Sequence, residues 1–212
     1  IPSRLVGSEM CIRDREATVL NNLGFAYNNL GQYKKAISFL EKSLPIYQEL
    51  KDRKGEAKVL NKLGDAYNNL GQHKTAIDVL QQSLPIYQEL KDRKGEATVL
   101  NNLGSAYHSL GQYERAINFY QQSLPIHQEL KDRKEEANVL GSLCYAYKSQ
   151  EQSKKAIEMQ QQSLLIHQDL QYYQHEANFL LELGKTYYNQ QEYDRAIDLF
   201  QKYLAFFQEP LN

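Results

Sequence analysis

Apolar residues recur along this chain at steps of three and four positions, which is the spacing of one face of an α-helix. The first such stripe consists of Val19, Leu20, Leu23, Ala26, Tyr27 and Leu30. Gly31 then interrupts the pattern, as glycine does just past the end of a helix. A second stripe follows from Tyr33 to Ile46. The pattern predicts two antiparallel helices joined by a tight turn.

This two-helix pattern returns every 40 residues. The string SLPIYQELKDRKGEA, for example, is identical at 43–57 and 83–97. Because neither helix of a pair can bury its stripe alone, we expect the repeats to stack. The predicted fold is therefore an all-α solenoid of about five stacked antiparallel helix pairs. The repeats have the boundaries 17–56, 57–96, 97–136, 137–176 and 177–212.

Three kinds of residue indicate how each repeat is built. A glycine recurs in the first helix, where we expect the second helix to approach closely, since glycine otherwise destabilises a helix. Asp52 has the character of an N-cap for the next helix. Pro45, Pro85 and Pro125 fall inside the second helix, and we expect each helix to continue through its proline with a bend. The recurring glycines are Gly24, Gly64, Gly104 and Gly184.

The shared residues resemble the tetratricopeptide repeat signature, Leu-Gly-x-x-Tyr followed nine residues later by alanine. The 40-residue form is similar to arrays in kinesin light chains, Pins-type polarity adaptors and bacterial signalling proteins. The resemblance implies a right-handed α-α superhelical solenoid whose first helices line a concave groove. The signature positions are Leu23, Gly24, Tyr27, Ala36 and Leu40, and in the second repeat Leu63, Gly64, Tyr67, Ala76 and Leu80.

The fourth repeat departs most from this signature, and we expect it to be the least well packed. Cys144 stands where the other repeats have glycine, and Gln160 stands where they have an apolar residue. Further departures are Gln150, Glu151 and Ser153.

Both ends of the chain also depart from the repeat. Residues 1–16 break the period, and the string LVGSEMCIRDR within them resembles a translated sequencing adapter. We therefore expect residues 1–16 to be a non-native or disordered leader; an ordinary variable N-terminus is the alternative. The last helix is apolar and lacks a polar capping helix, which favours a fragment of a larger protein or self-association through this helix. Its apolar residues include Phe200, Tyr203, Leu204, Phe206 and Phe207.

Composition and motifs exclude several classes of function. The formal net charge is −1 and the pI is about 6.6, so no basic balance indicates a nucleic-acid partner. The mean hydropathy is −0.66, and no apolar run is long enough to span a membrane. The sequence contains no phosphate loop, nucleophile elbow or zincin motif. We expect a cytoplasmic protein that is not an enzyme and has no cofactor.

Two histidines raise the question of a metal site. His127 and His167 occupy one position of consecutive repeats, where Tyr47 and Tyr87 stand in the first two. No third ligand falls into register with them, whereas zinc needs a tetrahedral set. We interpret them as polar replacements for tyrosine on a partly exposed face, and we expect no metal.

The edge of each first helix that lies opposite its apolar stripe is rich in asparagine. By resemblance to the family, this edge faces the groove. An asparagine side chain carries an acceptor and two donors, so a row of them can pair with both polar groups of a peptide backbone. The alternative is that asparagine keeps the helix surface soluble. The candidate binding residues are Asn21, Asn22, Phe25, Asn28, Asn61, Lys62, Asp65, Asn68, Asn101, Asn102, Ser105 and His108.

The sequence thus predicts a protein–protein interaction scaffold that binds an extended peptide or partner segment in its groove, as part of a larger signalling or adaptor protein. The alternative is a structural or oligomerisation module that regulates an effector domain outside this sequence.

Overall fold

A computed structural model describes the backbone of residues 3–170 and 173–205, and the side chains of residues 9–170 and 176–205. Within these ranges there are ten α-helices and no strand. Each 40-residue repeat forms two helices, as its apolar spacing predicted. The helices are α1 (Ser3–Asn29), α2 (Tyr33–Glu49), α3 (Arg53–Asn69), α4 (His73–Glu89), α5 (Arg93–Ser109), α6 (Tyr113–Glu129), α7 (Arg133–Ser149), α8 (Ser153–Asp169), α9 (Tyr173–Asn189) and α10 (Tyr193–Ala205).

Consecutive helices lie side by side within two units of the chain, an N-terminal unit of residues 1–119 and a C-terminal unit of residues 120–212. In the N-terminal unit α1 packs on α2 and α3 packs on α4, while contacts of α2 with α3 and of α4 with α5 join the pairs. In the C-terminal unit α7 packs on α8, α8 contacts α9, and α9 packs on α10. The predicted all-α solenoid of stacked helix pairs is confirmed.

The turn inside a repeat is closed by hydrogen bonds from the backbone. After α1, the backbone N–H of Gln32 donates to the carbonyl oxygen of Tyr27 at 2.9 Å, and that of Gly31 donates to Asn28 at 2.9 Å. This is the Schellman arrangement of a helix C-terminus. Gly31 has a φ of 71°, in the left-handed region that glycine adopts without steric cost. The predicted helix end at Gly31 is confirmed.

The helix start at Asp52 and the interior prolines also agree with the sequence predictions. The Asp52 carboxylate accepts a hydrogen bond from the backbone N–H of Gly55 at 2.9 Å and so caps α3. Helices α2, α4 and α6 run without interruption through Pro45, Pro85 and Pro125. Each proline is exposed, so solvent can reach the carbonyl one turn earlier that has lost its donor. The bend at each proline stays a prediction.

The recurring glycine of the first helix lies against a large side chain of the second helix. A Cβ atom added at Gly24 would lie 2.5 Å from the Cγ atom of Leu40, and Gly64 faces Leu80 in the same way. A side chain at either glycine would force the leucine to move. The close approach predicted for these two glycines is confirmed.

The core of the N-terminal unit includes the contact between α2 and α3. Val59 and Leu63 of α3 have exposed fractions of 0% and 3% and pack in a cluster with Leu40 of α2. The equivalent residues of α1, Val19 and Leu23, are 57% and 38% exposed. Burial of the stripe on a first helix therefore depends on the second helix of the preceding repeat.

Helix α1 includes the stretch that precedes the first repeat, since residues 3–16 are helical. Arg13 lies 3.1 Å from the carboxylate of Glu16 and 3.2 Å from that of Glu49. Arg53 makes the equivalent pair of contacts one repeat later. The adapter origin of this stretch and the boundary at residue 16 stay predictions.

Candidate functional site

The twelve candidate residues lie on three helices of the N-terminal unit, and α3 contacts both α1 and α5. We call these twelve residues the asparagine face. Asn22 and Phe25 are exposed, Asn21 is buried and the others are half-buried. Helix α1 contributes Asn21, Asn22, Phe25 and Asn28, α3 contributes Asn61, Lys62, Asp65 and Asn68, and α5 contributes Asn101, Asn102, Ser105 and His108.

Amide groups of the asparagine face join neighbouring first helices. The Nδ2 atom of Asn28 donates to Asp65 Oδ2 at 2.7 Å, which links α1 to α3. One repeat later, Asn68 Nδ2 donates to the Ser105 hydroxyl at 3.2 Å and links α3 to α5. Sequence reasoning missed this role. The signal that could have found it is the spacing, because both pairs lie 37 residues apart, three short of the period.

A second kind of amide pair strengthens the link between α3 and α5. Asn102 Nδ2 donates to Asn61 Oδ1 at 2.9 Å. Asn68 Oδ1 lies 2.7 Å from the Nδ1 atom of His73, at the start of α4. Asparagine on this face therefore connects first helices to one another and to a second helix.

Three amide oxygens of the asparagine face are buried and accept no hydrogen bond from the described residues. They are the Oδ1 atoms of Asn21, Asn28 and Asn101. Leaving a buried acceptor unpaired costs about 1–3 kcal/mol. Because these oxygens are closed to solvent, a donor from outside the chain reaches one only after its side chain rotates outward, and the new hydrogen bond then removes this cost.

Charged and aromatic groups interrupt the row of amides. The ammonium group of Lys62 lies 4.7 Å from the centre of the Phe25 ring, within the range of a cation–π interaction. Burial lowers the pKa of Lys62, and the charge of Lys58 lowers it further. Burial raises the pKa of Asp65, against the hydrogen bonds from Asn28 and Asn69 that lower it. Both charges are thus partly withdrawn from solvent.

The equivalent positions of the C-terminal unit are different. Gly141 on α7 stands where the first three repeats have asparagine, and with Cys144, Gln160 and Phe179 it lines a cavity of about 50 Å³. Sequence reasoning noticed the departures at Cys144 and Gln160 and read them only as weaker packing. It did not predict the cavity, which depends on how α7, α8 and α9 meet.

His127 and His167 are buried, each with an exposed fraction of 2%, so the expectation of a partly exposed face is wrong. The same position is buried in the earlier repeats, at Tyr47 and Tyr87. The reason is packing: the ring of His167, for instance, lies 5.0 Å from the ring of Phe179 on the next helix. A single helix pattern does not reveal a neighbour of this kind.

The described residues contain neither a metal-ligand cluster nor a membrane-spanning helix. Among residues whose side chains are described, no three His, Cys, Asp or Glu side chains are grouped as they would be around a metal ion. No described helix is both long enough and apolar enough to cross a bilayer.

The chain is similar in fold to several solved structures. One is BtubC (BKLC) from P. vanneervenii, with a TM-score of 0.78 and 20% identity over 97% of this chain and 94% of that chain. Another is a Podosopora anserina putative kinesin light chain with nearly identical TPR-like repeats, with a TM-score of 0.75 and 20% identity over 89% and 93% of the two chains.

A third similar structure is a signal transduction ATPase of the STAND class with a tetratricopeptide repeat sensor, PH0952 from Pyrococcus horikoshii. Its TM-score is 0.82 at 18% identity, over 93% of this chain and 31% of that chain. At these identities the likeness shows the fold alone. No curated protein matches the chain.

The sequence profile of the tetratricopeptide repeat matches residues 15–89 and 56–129, and a second profile of the same repeat matches residues 177–209. The first of these profiles alone covers more than half of the 212 residues. The helix pairs, the glycine–leucine contact and the turn at Gly31 agree with that assignment. The chain belongs to the tetratricopeptide repeat family.

Proposed function

We propose that this chain is an interaction scaffold that binds an extended segment of a partner protein along the asparagine face. Tetratricopeptide repeats are in general protein-interaction scaffolds and not enzymes, which supports the class of function. The observation that carries the proposal is the set of buried amide oxygens on Asn21, Asn28 and Asn101. The backbone N–H groups of an extended segment are donors of the kind that these oxygens lack.

The geometry of the amides refines how such a segment would be held. The donors of Asn28, Asn68 and Asn102 already bond to neighbouring helices. They keep the helices in place, while the unpaired oxygens accept from the partner backbone once their side chains rotate outward. Selectivity comes from Phe25 and Lys62, whose aromatic and cationic groups lie together.

The charge of the chain favours a protein or peptide partner. The net charge is −1, and the asparagine face carries both Lys62 and Asp65, so it offers no basic surface for a nucleic acid. We expect the scaffold to act in the cytoplasm, without a membrane contact, a cofactor or an enzymatic activity. The similar structures include a putative kinesin light chain and the repeat sensor of a signal transduction ATPase, which supports an adaptor or regulatory setting.

A random peptide library displayed on phage supplies the probe for this proposal. Peptides selected on the immobilised chain are synthesised, and their affinities are measured by calorimetry for the unmodified chain and for the triple variant Asn21→Ala, Asn28→Ala, Asn101→Ala. We expect the triple variant to lose at least about tenfold in affinity, since each lost hydrogen bond contributes about 1 kcal/mol. The matched control is Gln82→Ala, an exposed amide on α4 whose side chain bonds only the backbone of Asp78.

Two outcomes would overturn the proposal. One is unchanged affinity in the triple variant while its circular dichroism and melting temperature stay those of the unmodified chain. The other is a selection that enriches no peptide. A loss of affinity in the Gln82→Ala control as well would show that the effect is not specific to the asparagine face.

One observation favours the second candidate function, an oligomerisation module. Ile197 and Leu204 on α10 are 53% and 54% exposed, whereas Ile37 and Ile77, equivalent to Ile197 in earlier repeats, are 8% and 7% exposed. Phe206 and Phe207, on which the predicted self-association also depends, lie outside the described residues. Sedimentation velocity over a concentration series tests this candidate. Ile197→Lys should then abolish any concentration-dependent assembly, and a monomer at all concentrations would remove the candidate.

A further inference from the structure

The C-terminal unit contains a small cavity that the asparagine face does not include. It lies between α7, α8 and α9 and has a volume of about 50 Å³. The residues that line it are Gly141, Cys144, Tyr145, Lys148, Gln160, Asn178, Phe179 and Glu182. At about 10–15 Å³ for each water-sized group, the cavity has room for about three to five such groups.

The cavity exists because three positions of the repeat have changed together. Gly141 replaces the asparagine of the first three repeats, which removes a side chain. A Cβ atom at Gly141 would lie 3.3 Å from Cζ of Phe179, so even an alanine would narrow the space. Cys144 and Gln160 replace the glycine and the leucine that meet in the second repeat, which brings polar atoms to the cavity wall.

Gln160 gives the cavity its chemistry. The residue is only 2% exposed. Its Oε1 atom accepts from the thiol of Cys144 at 3.7 Å, and its Nε2 atom donates to the carbonyl oxygen of Phe179 at 3.4 Å. A primary amide has two donor and two acceptor positions. One N–H and one lone pair of this amide are therefore left, and burying such groups is costly unless they are paired.

Cys144, Lys148 and Glu182, which also line the cavity, have interactions of their own. Burial raises the pKa of the Cys144 thiol, so the sulfur keeps its proton and acts as a donor. The ammonium group of Lys148 lies 3.9 Å from the Glu182 carboxylate, and a second lysine, Lys185, lies 2.8 Å from that carboxylate. Lys148 and Glu182 are the charged residues that line the cavity, and their opposite charges offset each other, which favours a neutral occupant.

We propose that this cavity binds the side chain of one threonine or serine of a partner segment, with Gln160 as the recognising residue. A hydroxyl group donates one hydrogen bond and accepts others, so it pairs with both the free lone pair and the free N–H of the Gln160 amide. The three heavy atoms of a threonine side chain match the available volume. A leucine or phenylalanine side chain has no hydrogen-bonding group and would leave the amide unpaired.

The inference rests on the proposed function only in requiring that a partner segment reaches the C-terminal unit. It is tested first without any partner, using N-acetyl-threonine amide as the probe and the isosteric N-acetyl-valine amide as its control. Nitrogen-15 NMR of the full chain follows the side-chain amide of Gln160 and the backbone amide of Gly141 during titration. We expect saturable shifts with the threonine probe and none with the valine probe.

The matched variant is Cys144→Gly combined with Gln160→Leu, which restores the residue pair of the second repeat and therefore a packing that the fold accepts. Its melting temperature is measured first. The Gly141 amide of this variant should no longer shift with the threonine probe. Equal shifts with both probes, no saturable shift, or an unchanged response in the folded double variant would each overturn the inference and leave the cavity as a site for water.

Peptides provide the second arm of the test. Among display-selected peptides, replacement of one threonine or serine by alanine should weaken binding to the unmodified chain about tenfold and leave binding to the double variant unchanged. The NMR arm does not involve α1, α3 or α5, so it can succeed when the asparagine variants show no effect. Failure of this inference is thereby distinguished from failure of the proposed function.

Discussion

The second and fourth repeats make the same contact between their two helices with different chemistry. In the second repeat Gly64 lies against Leu80, and no polar side-chain atom takes part. In the fourth repeat the thiol of Cys144 lies against the amide of Gln160, 16 residues later. In the fourth repeat a cysteine replaces the glycine, and a glutamine replaces the leucine. The glutamine amide accepts a hydrogen bond from the cysteine thiol. The contact is therefore a property of the pair, and neither position can be interpreted alone.

The comparison extends to the neighbouring positions of the first helix. Asn61 in the second repeat accepts a hydrogen bond from Asn102 on the next first helix. Its equivalent in the fourth repeat is Gly141, which makes room for a cavity instead. Asp65 is replaced there by Tyr145. The second repeat thus uses this edge to connect helices, while the fourth has a cavity there.

Truncating the second-helix residue of this contact, Leu80 or Gln160, should have the largest effect on the free energy of unfolding. Leu80 is completely buried, so Leu80→Ala should destabilise its repeat by about 2–5 kcal/mol. Gln160→Ala should cost less, about 1 kcal/mol, because Gln160 makes two long hydrogen bonds beside an existing cavity. Urea unfolding measures the change in the free energy of unfolding of the whole chain. Native-state hydrogen exchange of α4 and α8 then assigns each loss of stability to its repeat. Equal losses would mean that the two contacts do not differ in energy.

Transplanting the fourth-repeat pair into the second repeat tests whether the two positions are coupled. Gly64→Cys alone should cost about 1–3 kcal/mol, because the new side chain overlaps Leu80. Adding Leu80→Gln should recover at least about 0.5 kcal/mol relative to the sum of the single losses. The unfolding free energies of the unmodified chain, Gly64→Cys, Leu80→Gln and the double variant complete a double-mutant cycle. Gly64→Cys combined with Gln82→Ala, at an exposed position of the same helix as Leu80, is the control and should be additive. Additivity of Gly64→Cys with Leu80→Gln as well would contradict the coupling.

Substitutions at the asparagine position, Asn61 in the second repeat and Gly141 in the fourth, should differ less in their effect on stability. Asn61→Ala removes the acceptor of Asn102 and should destabilise the chain by about 0.5–1.5 kcal/mol. Gly141→Ala should stay within about 0.5 kcal/mol of the unmodified chain, since a gain in helix propensity is opposed by the approach to Phe179. Thermal melts of both variants check this. A larger loss for Gly141→Ala would show that the cavity region tolerates no added atom.

The pH dependence of Asp65 should give the smallest effect. Its pKa is raised above 3.8 in the folded chain, chiefly by burial. The folded chain therefore holds this proton to higher pH than the unfolded chain, and the contribution of Asp65 to stability falls as pH rises from 3.8 through the folded-state pKa. Asp65→Asn should lose less stability over that interval, as measured by melting temperature against pH. Asp78→Asn, at an exposed position, is the control, and identical profiles for all three proteins would contradict the prediction.

Several features of this fold follow from residues that are close in sequence or equivalent in the repeat. The helix pairs follow from apolar spacing, and the end of α1 at Gly31 follows from a residue that tolerates a positive φ. The cap at Asp52 involves a backbone group three residues away. The close approach at Gly24 and Gly64 could be inferred because glycine at a fixed place in a helix has a cost that only a close neighbour explains. All of these depend on local rules.

The candidate site was less predictable. Asparagine on one edge of three helices could be located from the period alone, and binding by those residues stays a proposal. That Asn28 donates to Asp65, while other amide oxygens remain unpaired, was not predicted. The 37-residue spacing marks the two donor–acceptor pairs as equivalent, but only the packing of α1 against α3 brings the two atoms within hydrogen-bonding distance. The same holds for the burial of His127, which sequence analysis placed on a partly exposed face.

The sequence by itself therefore determined the period, the helices and their turns, since hydrophobic spacing and turn residues act over a few positions. Only the tertiary structure decided which amides pair across helices, which histidines are buried and where Cys144 and Gln160 leave a cavity. The physical reason is that helix periodicity specifies which side chains share a face, whereas hydrogen bonding and packing require atoms of different helices to come within a few ångströms. Those distances depend on how the faces of neighbouring helices fit together.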